Sequence, residues 1–287
     1  MTRPSPAPAS TPLSRLIDAA AAVLAEASVA APRVDAELLA AHALGTDRAR
    51  LRFVDAGPDF TDRYNELIGG RAQRIPLQHL VGTAPFGPVK VFVGPGVFIP
   101  RPETEAILEW AMARRLPDEP VIVDLCTGSG ALALALSRHW PGARVIAVDD
   151  SEAALGYARK NLAGSVVEIV HADVTAPGLL PELDGAVDLV VANPPYIPDG
   201  AQLEPEVAEH DPVHALFGGP DGMHVIESIV DVAVRWLRTG GLVAVEHDDT
   251  TSDRTVECFR RSTHFGDITP RRDLTGRPRF VTARRTA

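Results

Sequence analysis

Through residues 13–80 the apolar positions recur at helical spacing. Beyond residue 100 they gather into short continuous runs separated by turn residues. The first regime predicts three helices. "LSRLIDAAAAVLAEA" carries an apolar stripe and offers Ser14 as an N-cap. "PRVDAELLAAHAL" opens on a proline and stops at Gly45, and "DRYNELIGGRAQR" reads as closing at Gly69-Gly70. No period-two alternation interrupts this block, so residues 13–80 read as a small helical bundle domain. Residues 81–100, "VGTAPFGPVKVFVGPGVFIP", mix glycine and proline with β-branched and aromatic residues, the composition of a β-hairpin linker between two domains. Residues 1–12, rich in Pro, Ser and Ala, read as disordered.

From residue 101 to 287 strands and helices alternate. "PVIVDLC", "ARVIAVDD", "VVEIVHAD", "VDLVVAN" and "GGLVAVEH" read as strands. "ETEAILEWAMARR", "ALALALSRHW", "SEAALGYARKNL" and "GMHVIESIVDVAVRWL" read as helices, the third capped by Ser151. This order predicts an α/β fold with a mostly parallel, doubly wound, Rossmann-like sheet.

Composition narrows the classes. Hydrophobic residues make up 45% and charged residues 23%, as in soluble globular proteins. No apolar stretch is long enough to span a bilayer, and Asp18 and Glu26 inside the alanine-rich first helix argue against a secretory leader, so a cytoplasmic, monomeric protein is expected. Cys126 and Cys258 lie far apart, and no metal-ligand spacing appears among the nine histidines. With 28 Lys+Arg against 38 Asp+Glu, a net charge of −10 disfavours nucleic-acid backbone as the main partner. The densest basic cluster, Arg271, Arg272, Arg277, Arg279, Arg284 and Arg285, reads as a solvated tail rather than a binding patch.

In open parallel sheets, ligands bind beyond the carboxyl ends of the strands. The first strand ends in "DLCTGSGALA", where Gly128 and Gly130 let a ligand approach the backbone and the next helix offers free N–H groups. Gly128-x-Gly130-x-x-Ala133 matches a dinucleotide fingerprint, but Asp124 stands beside the turn and would repel a pyrophosphate. A carboxylate there suits a ligand ammonium, or holds the N–H groups of the turn. S-adenosylmethionine, a nucleoside bearing an amino acid, fits this turn better. Asp149 ends the second strand about 20 residues on, where an acid binds ribose hydroxyls, with Asp150 its rival. Asp173, after the third strand, is placed to contact an adenine amino group.

The fourth strand stops at Asn193-Pro194-Pro195-Tyr196. Proline cannot extend a sheet ladder, so the segment is stiff and fixes its carbonyls. An amide or aromatic amino nitrogen is a poor nucleophile with a delocalised lone pair. It needs acceptors for its N–H groups rather than a strong base. The Asn193 side-chain carbonyl and the Pro194 main-chain carbonyl supply two, and Tyr196 offers a flat wall.

"DLCTGSGALALAL", "NPPYIP" and "FIPRPETE" together resemble the HemK-type (PrmC) protein-glutamine N5-methyltransferases, which modify peptide chain release factors. The likeness extends to "RVDAELLAAHAL", "RIPLQHLVG", "DPVHALFGGPDGM" and "RDLTGRPRF", nearly the whole chain. It implies a class I S-adenosylmethionine-dependent methyltransferase domain. It also implies, as methyl acceptor, the glutamine of a release factor's Gly-Gly-Gln motif. By position, Asp124, Cys126, Thr127, Gly128, Ser129, Gly130, Asp149, Asp173, Val174 and Asn193 hold the cofactor. Asn193, Pro194, Pro195 and Tyr196 hold the glutamine, and residues 13–80 help recognise the protein substrate. Cys126 stands where many relatives have glycine. "VEHDDTTSD" replaces a glycine- and glutamine-containing segment and is assigned to the rim rather than the reaction centre. An adenine-N6 nucleic-acid methyltransferase shares Asn-Pro-Pro-Tyr and is the alternative. A non-catalytic adaptor and a dehydrogenase rank below it.

Overall fold

The computed structural model describes residues 12–273 and 275–286. The disordered segment expected over 1–12 lies, apart from Pro12, outside the described residues. Two compact units divide the chain, Met1–Gly82 and Thr83–Ala287.

The first unit holds α1 (Leu13–Glu26), α2 (Pro32–Ala43), a 3₁₀ turn (Arg48–Phe53), α3 (Phe60–Ala72) and the short α4 (Leu77–Val81). Its core packs Leu24, Leu39, Phe60 and Tyr64. The Tyr64 hydroxyl is satisfied by the Ala36 carbonyl at 2.9 Å, and the buried Arg71 by Asp35 at 2.7 Å. Two helix ends differ from expectation. Pro12 occupies the N-cap of α1, so Ser14 lies inside the helix and caps nothing. α3 continues through Gly69-Gly70, because Gly70 serves packing rather than termination. A Cβ there would lie 2.9 Å from Leu80 Cδ2.

The second unit opens with the hairpin β1 (Thr83–Phe86) and β2 (Val89–Phe92). There follow α5 (Glu105–Met112), β3 (Val121–Leu125), α6 (Ala131–His139), β4 (Arg144–Asp149), α7 (Glu152–Asn161), β5 (Glu168–His171) and β6 (Val187–Ala192). The chain continues through α8 (Pro205–His210), α9 (His224–Trp236), β7 (Leu237–Glu246), α10 (Ser252–Arg261), β8 (Phe265–Arg272) and β9 (Pro278–Arg285). Seven strands form one sheet in the order β5-β4-β3-β6-β7-β9-β8. The first five are parallel, and β9 and β8 complete the edge antiparallel.

Alternation explains the two layers. On β3 and β6, Ile122, Leu189 and Val191 face a core shared with α6 and the hairpin. Val123, Leu125, Val190 and Ala192 face a core shared with α9 and α10. Each valine, leucine or isoleucine among them contributes about 1.5–3 kcal/mol on burial. The arginine-rich C-terminal stretch is therefore not a solvated tail. Its Phe280, Val281 and Ala283 are buried, and they zip β9 onto β7. Strand order reverses between β3, whose chain continues outward to β4, and β6, so the carboxyl ends of these strands flank the expected crevice.

Candidate active site

A cavity of about 550 Å³ opens there. At the β3–β4 end, the turn after Leu125 is left-handed at Cys126 (φ +56°), Gly128 (φ +56°) and Gly130 (φ +79°). A Cβ on Gly128 would meet nothing within 4 Å, so that residue keeps the wall open. Gly130 does not line the cavity. A Cβ there would lie 3.1 Å from Leu162 Cδ1, so its glycine serves the packing of the turn on the end of α7. Asp124 Oδ2 accepts the Thr127 hydroxyl at 2.5 Å and the Ala133 N–H at 3.1 Å, tying the turn to the first turn of α6. Asp149 accepts Gly128 N–H at 2.8 Å and Ser151 N–H at 2.9 Å. Ser151 caps α7 as expected, accepting from Ala154 N–H.

Carboxylates dominate this end. Asp124, Asp149, Asp150 and Asp173 all line the cavity. Burial pushes the Asp124 carboxyl up to about 7 and raises Asp149, against the pull of its main-chain donors. Burial, reinforced by the neighbouring carboxylates, holds the Cys126 thiol well above its ordinary value, so it is inert. Asp173 is held low by the hydroxyl and N–H of Thr175, both at 2.7 Å. Asp150 takes the Nε2 of His214 at 2.6 Å, which holds that imidazole above its usual value. His214 follows α8, whose C-terminal end is tied down by a second pair, Arg101 with Asp211. These two contacts pin the α8 segment beside the cavity.

At the β6–β7 end, Asn193 leaves β6 half-buried, and its Nδ2 donates to Thr104 Oγ1 at 3.0 Å. Thr104 donates to Glu246 Oε2 at 2.8 Å, and the Tyr196 hydroxyl donates to Glu246 Oε1 at 2.9 Å. Burial pushes Glu246 up to about 7; its two hydroxyl donors and Arg279 oppose that, and Glu103 adds to it. The loop after α8 packs on this segment: Ile197 N–H bonds Leu216 O at 2.9 Å, and a Cβ on Gly218 would lie 2.5 Å from Pro195 O. That close approach accounts for the first glycine of the "FGG" run, and a φ of +90° for the second.

The cavity wall thus gathers Asp124, Cys126, Thr127, Gly128, Ser129, Asp149, Asp173, Val174, Asn193, Pro194, Pro195 and Tyr196, all picked out in the sequence. Thr104, Glu246, Arg279, Arg101 and His214 were missed. Glu246 also corrects the assignment of its segment to the rim: it is buried directly behind Asn193 and Tyr196. No local signal marked it, since only the pairing of β7 beside β6 brings the end of one strand next to the residue that follows the other.

Residues 15–82 match the PrmC N-terminal domain family and residues 122–209 the methyltransferase domain family. The chain is 69% identical to the release factor glutamine methyltransferase of Mycolicibacterium smegmatis, over 96% of this chain and 99% of that protein. The chain belongs to the release factor glutamine methyltransferase family. This methyltransferase is also 41% identical to the 4-amino-L-phenylalanine/4-methylamino-L-phenylalanine methyltransferase of Streptomyces pristinaespiralis, over 90% of this chain and 91% of that one. Its fold resembles a crystal structure of a methyltransferase from Pyrococcus furiosus, with TM-score 0.52 and 18% identity, covering 76% of this chain and 100% of that one. Among its described residues no helix is long and apolar enough to cross a membrane.

Proposed function

We propose that this methyltransferase acts as a cytoplasmic monomer on peptide chain release factors, transferring the methyl group of S-adenosylmethionine to the side-chain nitrogen (N5) of the Gly-Gly-Gln glutamine. One observation carries the reading. The Asn193 amide lines the cavity and spends its nitrogen on Thr104, which leaves its carbonyl oxygen as the acceptor for a ligand.

The donor set fits the cofactor. Four carboxylates surround a cavity end with an open glycine wall, which suits a cationic ligand and repels a pyrophosphate. Both hydrogen bonds to Asp124 fall on Oδ2, leaving Oδ1 for a ligand ammonium. Asp149 would hold the ribose hydroxyls, a reading supported over Asp150 by the pairing of Asp150 with His214. Asp173 and Val174 would hold the adenine, and the turn from Cys126 to Ser129 the amino-acid moiety. When bound, S-adenosylmethionine supplies an electrophilic methyl on a sulfonium.

The chain's own work is to prepare the acceptor. Asn193 Oδ1 and Pro194 O accept the two N–H bonds of the amide, which frees its lone pair from conjugation and stabilises positive charge on nitrogen. Tyr196 walls the planar group, and its donated proton on Glu246 fixes the ring's edge. No strong base is required, because the nitrogen becomes acidic once methylated. The helical unit, residues 13–80, is assigned to recognition of the protein substrate.

An arylamine acceptor is the second reading, favoured by the 41% identical relative. Arylamines and amides share a delocalised nitrogen, so the same acceptors serve both. The higher identity, 69%, supports the release factor. Labelled S-adenosylmethionine, offered in turn with a release factor, 4-amino-L-phenylalanine and DNA, followed by mass mapping, tests all three. Methyl on the Gly-Gly-Gln glutamine is expected; label on another acceptor alone overturns the proposal. A chain beginning near residue 84 is expected to keep cofactor affinity but lose methylation of intact release factor. Equal activity of both chains would remove the helical unit from recognition.

A further inference from the structure

Resting on the acceptor role given above to Asn193, we propose that Glu246 and Thr104 form a positioning relay that decides which atom of the Asn193 amide faces the methyl acceptor. A threonine hydroxyl has one proton. Thr104 gives its proton to Glu246 Oε2 at 2.8 Å, so towards Asn193 it only accepts. Asn193 must therefore present its NH2 to Thr104, as it does at 3.0 Å, and its Oδ1 to the cavity. An ionised carboxylate only accepts, and Oε1 takes the Tyr196 hydroxyl at 2.9 Å. One buried anion thus sets the polarity of the acceptor amide and anchors the aromatic wall. Its two partners come from far apart in the chain: Thr104 before α5 and Tyr196 after β6.

The charged groups facing Glu246 are Arg279 on β9 and Glu103 beside Thr104; Tyr196 completes the titratable set. A protonated Glu246 would donate to one of the two hydroxyls. If that is Thr104, its own proton becomes available to Asn193, and the amide turns its NH2 into the cavity. With burial holding Glu246 at about 7, protonation on the Thr104 side makes the productive polarity present above that pH and lost below it. Glutamine at 246 cannot replace the carboxylate, because its NH2 must donate where one of the two hydroxyls also donates.

The sequence helps the test, since Asn65, Asn161 and Asn193 are its three asparagines. Selective ¹⁵N-asparagine labelling of the full chain reports three side-chain NH2 pairs, whether or not the enzyme turns over. The Asn193 pair is expected to shift in Thr104→Val, to return in Thr104→Ser, and to titrate near pH 7 in the wild type but not in Glu246→Gln. With cofactor saturating, single-turnover methylation of release factor is expected to fall roughly 10²-fold in Thr104→Val and in Glu246→Gln. Thr104→Ser should recover most of that loss, and cofactor affinity should change little. An Asn193 pair indifferent to both positions, or wild-type rates in Thr104→Val and Glu246→Gln, overturns the relay. Should the wild type methylate no release factor, the functional reading fails while the resonances still decide the relay.

Discussion

At the β3–β4 end of the cavity, polar side chains are carboxylates held by N–H and hydroxyl groups close in sequence. Asp124 is bonded to Thr127 and Ala133, and Asp173 to Thr175. Asp149 reaches Gly128 across the adjacent strand ends, within one βαβ unit. At the β6–β7 end, Asn193 is bonded to Thr104, and Thr104 and Tyr196 to Glu246, partners separated by 89, 142 and 50 residues. Apart from Asp150, paired with His214 64 residues further along the chain, the first end is a local device. It offers negative charge, which suits holding a cationic ligand through the whole catalytic cycle. The second is assembled only by the tertiary fold, and it directs hydrogen-bond polarity, which matters most as charge develops on nitrogen. Binding and rate should therefore respond separately to substitutions at the two ends.

The largest expected effect breaks the rate end alone. Asn193→Ala should lose about 10²–10³ in single-turnover rate, the usual cost of removing one preorganised partner from developing charge. Cofactor affinity should change far less. Near-normal rates would reduce Asn-Pro-Pro-Tyr to a strand-ending turn. Asn193→Asp keeps two acceptors but removes the donor to Thr104, so it should also be poor.

Next in size is the binding end. Asp149→Ala should weaken cofactor binding by about 2–4 kcal/mol, from two lost charge-assisted hydrogen bonds. Its melting temperature should fall as well, because Gly128 N–H and Ser151 N–H lose their acceptor. Asp150→Ala should cost less, since that side chain is engaged by His214. Calorimetric titration of both variants decides which acid holds the ribose: a larger loss in Asp150→Ala would reverse the assignment.

The same contrast governs what could be read from sequence. The glycine turn, Asp149 and the Ser151 cap were legible because a βαβ unit places them within one short stretch of chain. Asn-Pro-Pro-Tyr was legible because proline ends strands by its own chemistry. Thr104 and Glu246 were not, since nothing local links residues 142 apart. Only the parallel pairing of β6 with β7 brings Glu246 behind Asn193. The antiparallel edge β9–β8 was hidden by its arginines, which stand among the buried Phe280, Val281 and Ala283. Gly70 was misread because a glycine that ends a helix and one that admits a neighbouring leucine look alike in sequence.

A smaller effect sharpens the electrostatic half of the comparison. Burial holds the Asp124 carboxyl at about 7, above the ordinary carboxylate range, so it is neutral below that pH and ionised above it. A ligand ammonium is attracted only to the ionised form. Cofactor affinity should therefore fall as pH drops through 7, approaching about tenfold per pH unit. Titrations at pH 8, 7 and 6 test this directly. Asp124→Asn should flatten the dependence, and a wild-type affinity that is level across this range would show that Asp124 serves the turn alone.

The smallest effect concerns Cys126, the non-glycine residue in the left-handed turn. Its φ of +56° lies where side chains are strained by about 1–2 kcal/mol. Glycine would remove that strain but cost about 0.5–1 kcal/mol in unfolded-state entropy. It would also lose the side chain's packing against the core that holds Val174. The direct comparison of cysteine with glycine therefore nearly cancels. Cys126→Ala isolates the backbone: it keeps the strain and loses the sulfur. Cys126→Gly should accordingly melt above Cys126→Ala, by up to about 1 kcal/mol, reversing the order normal for these two residues. Thermal denaturation of the pair measures it. Alanine proving the more stable would mean that the turn relaxes out of the left-handed region, and the open wall at Gly128 would then depend on residues other than Cys126.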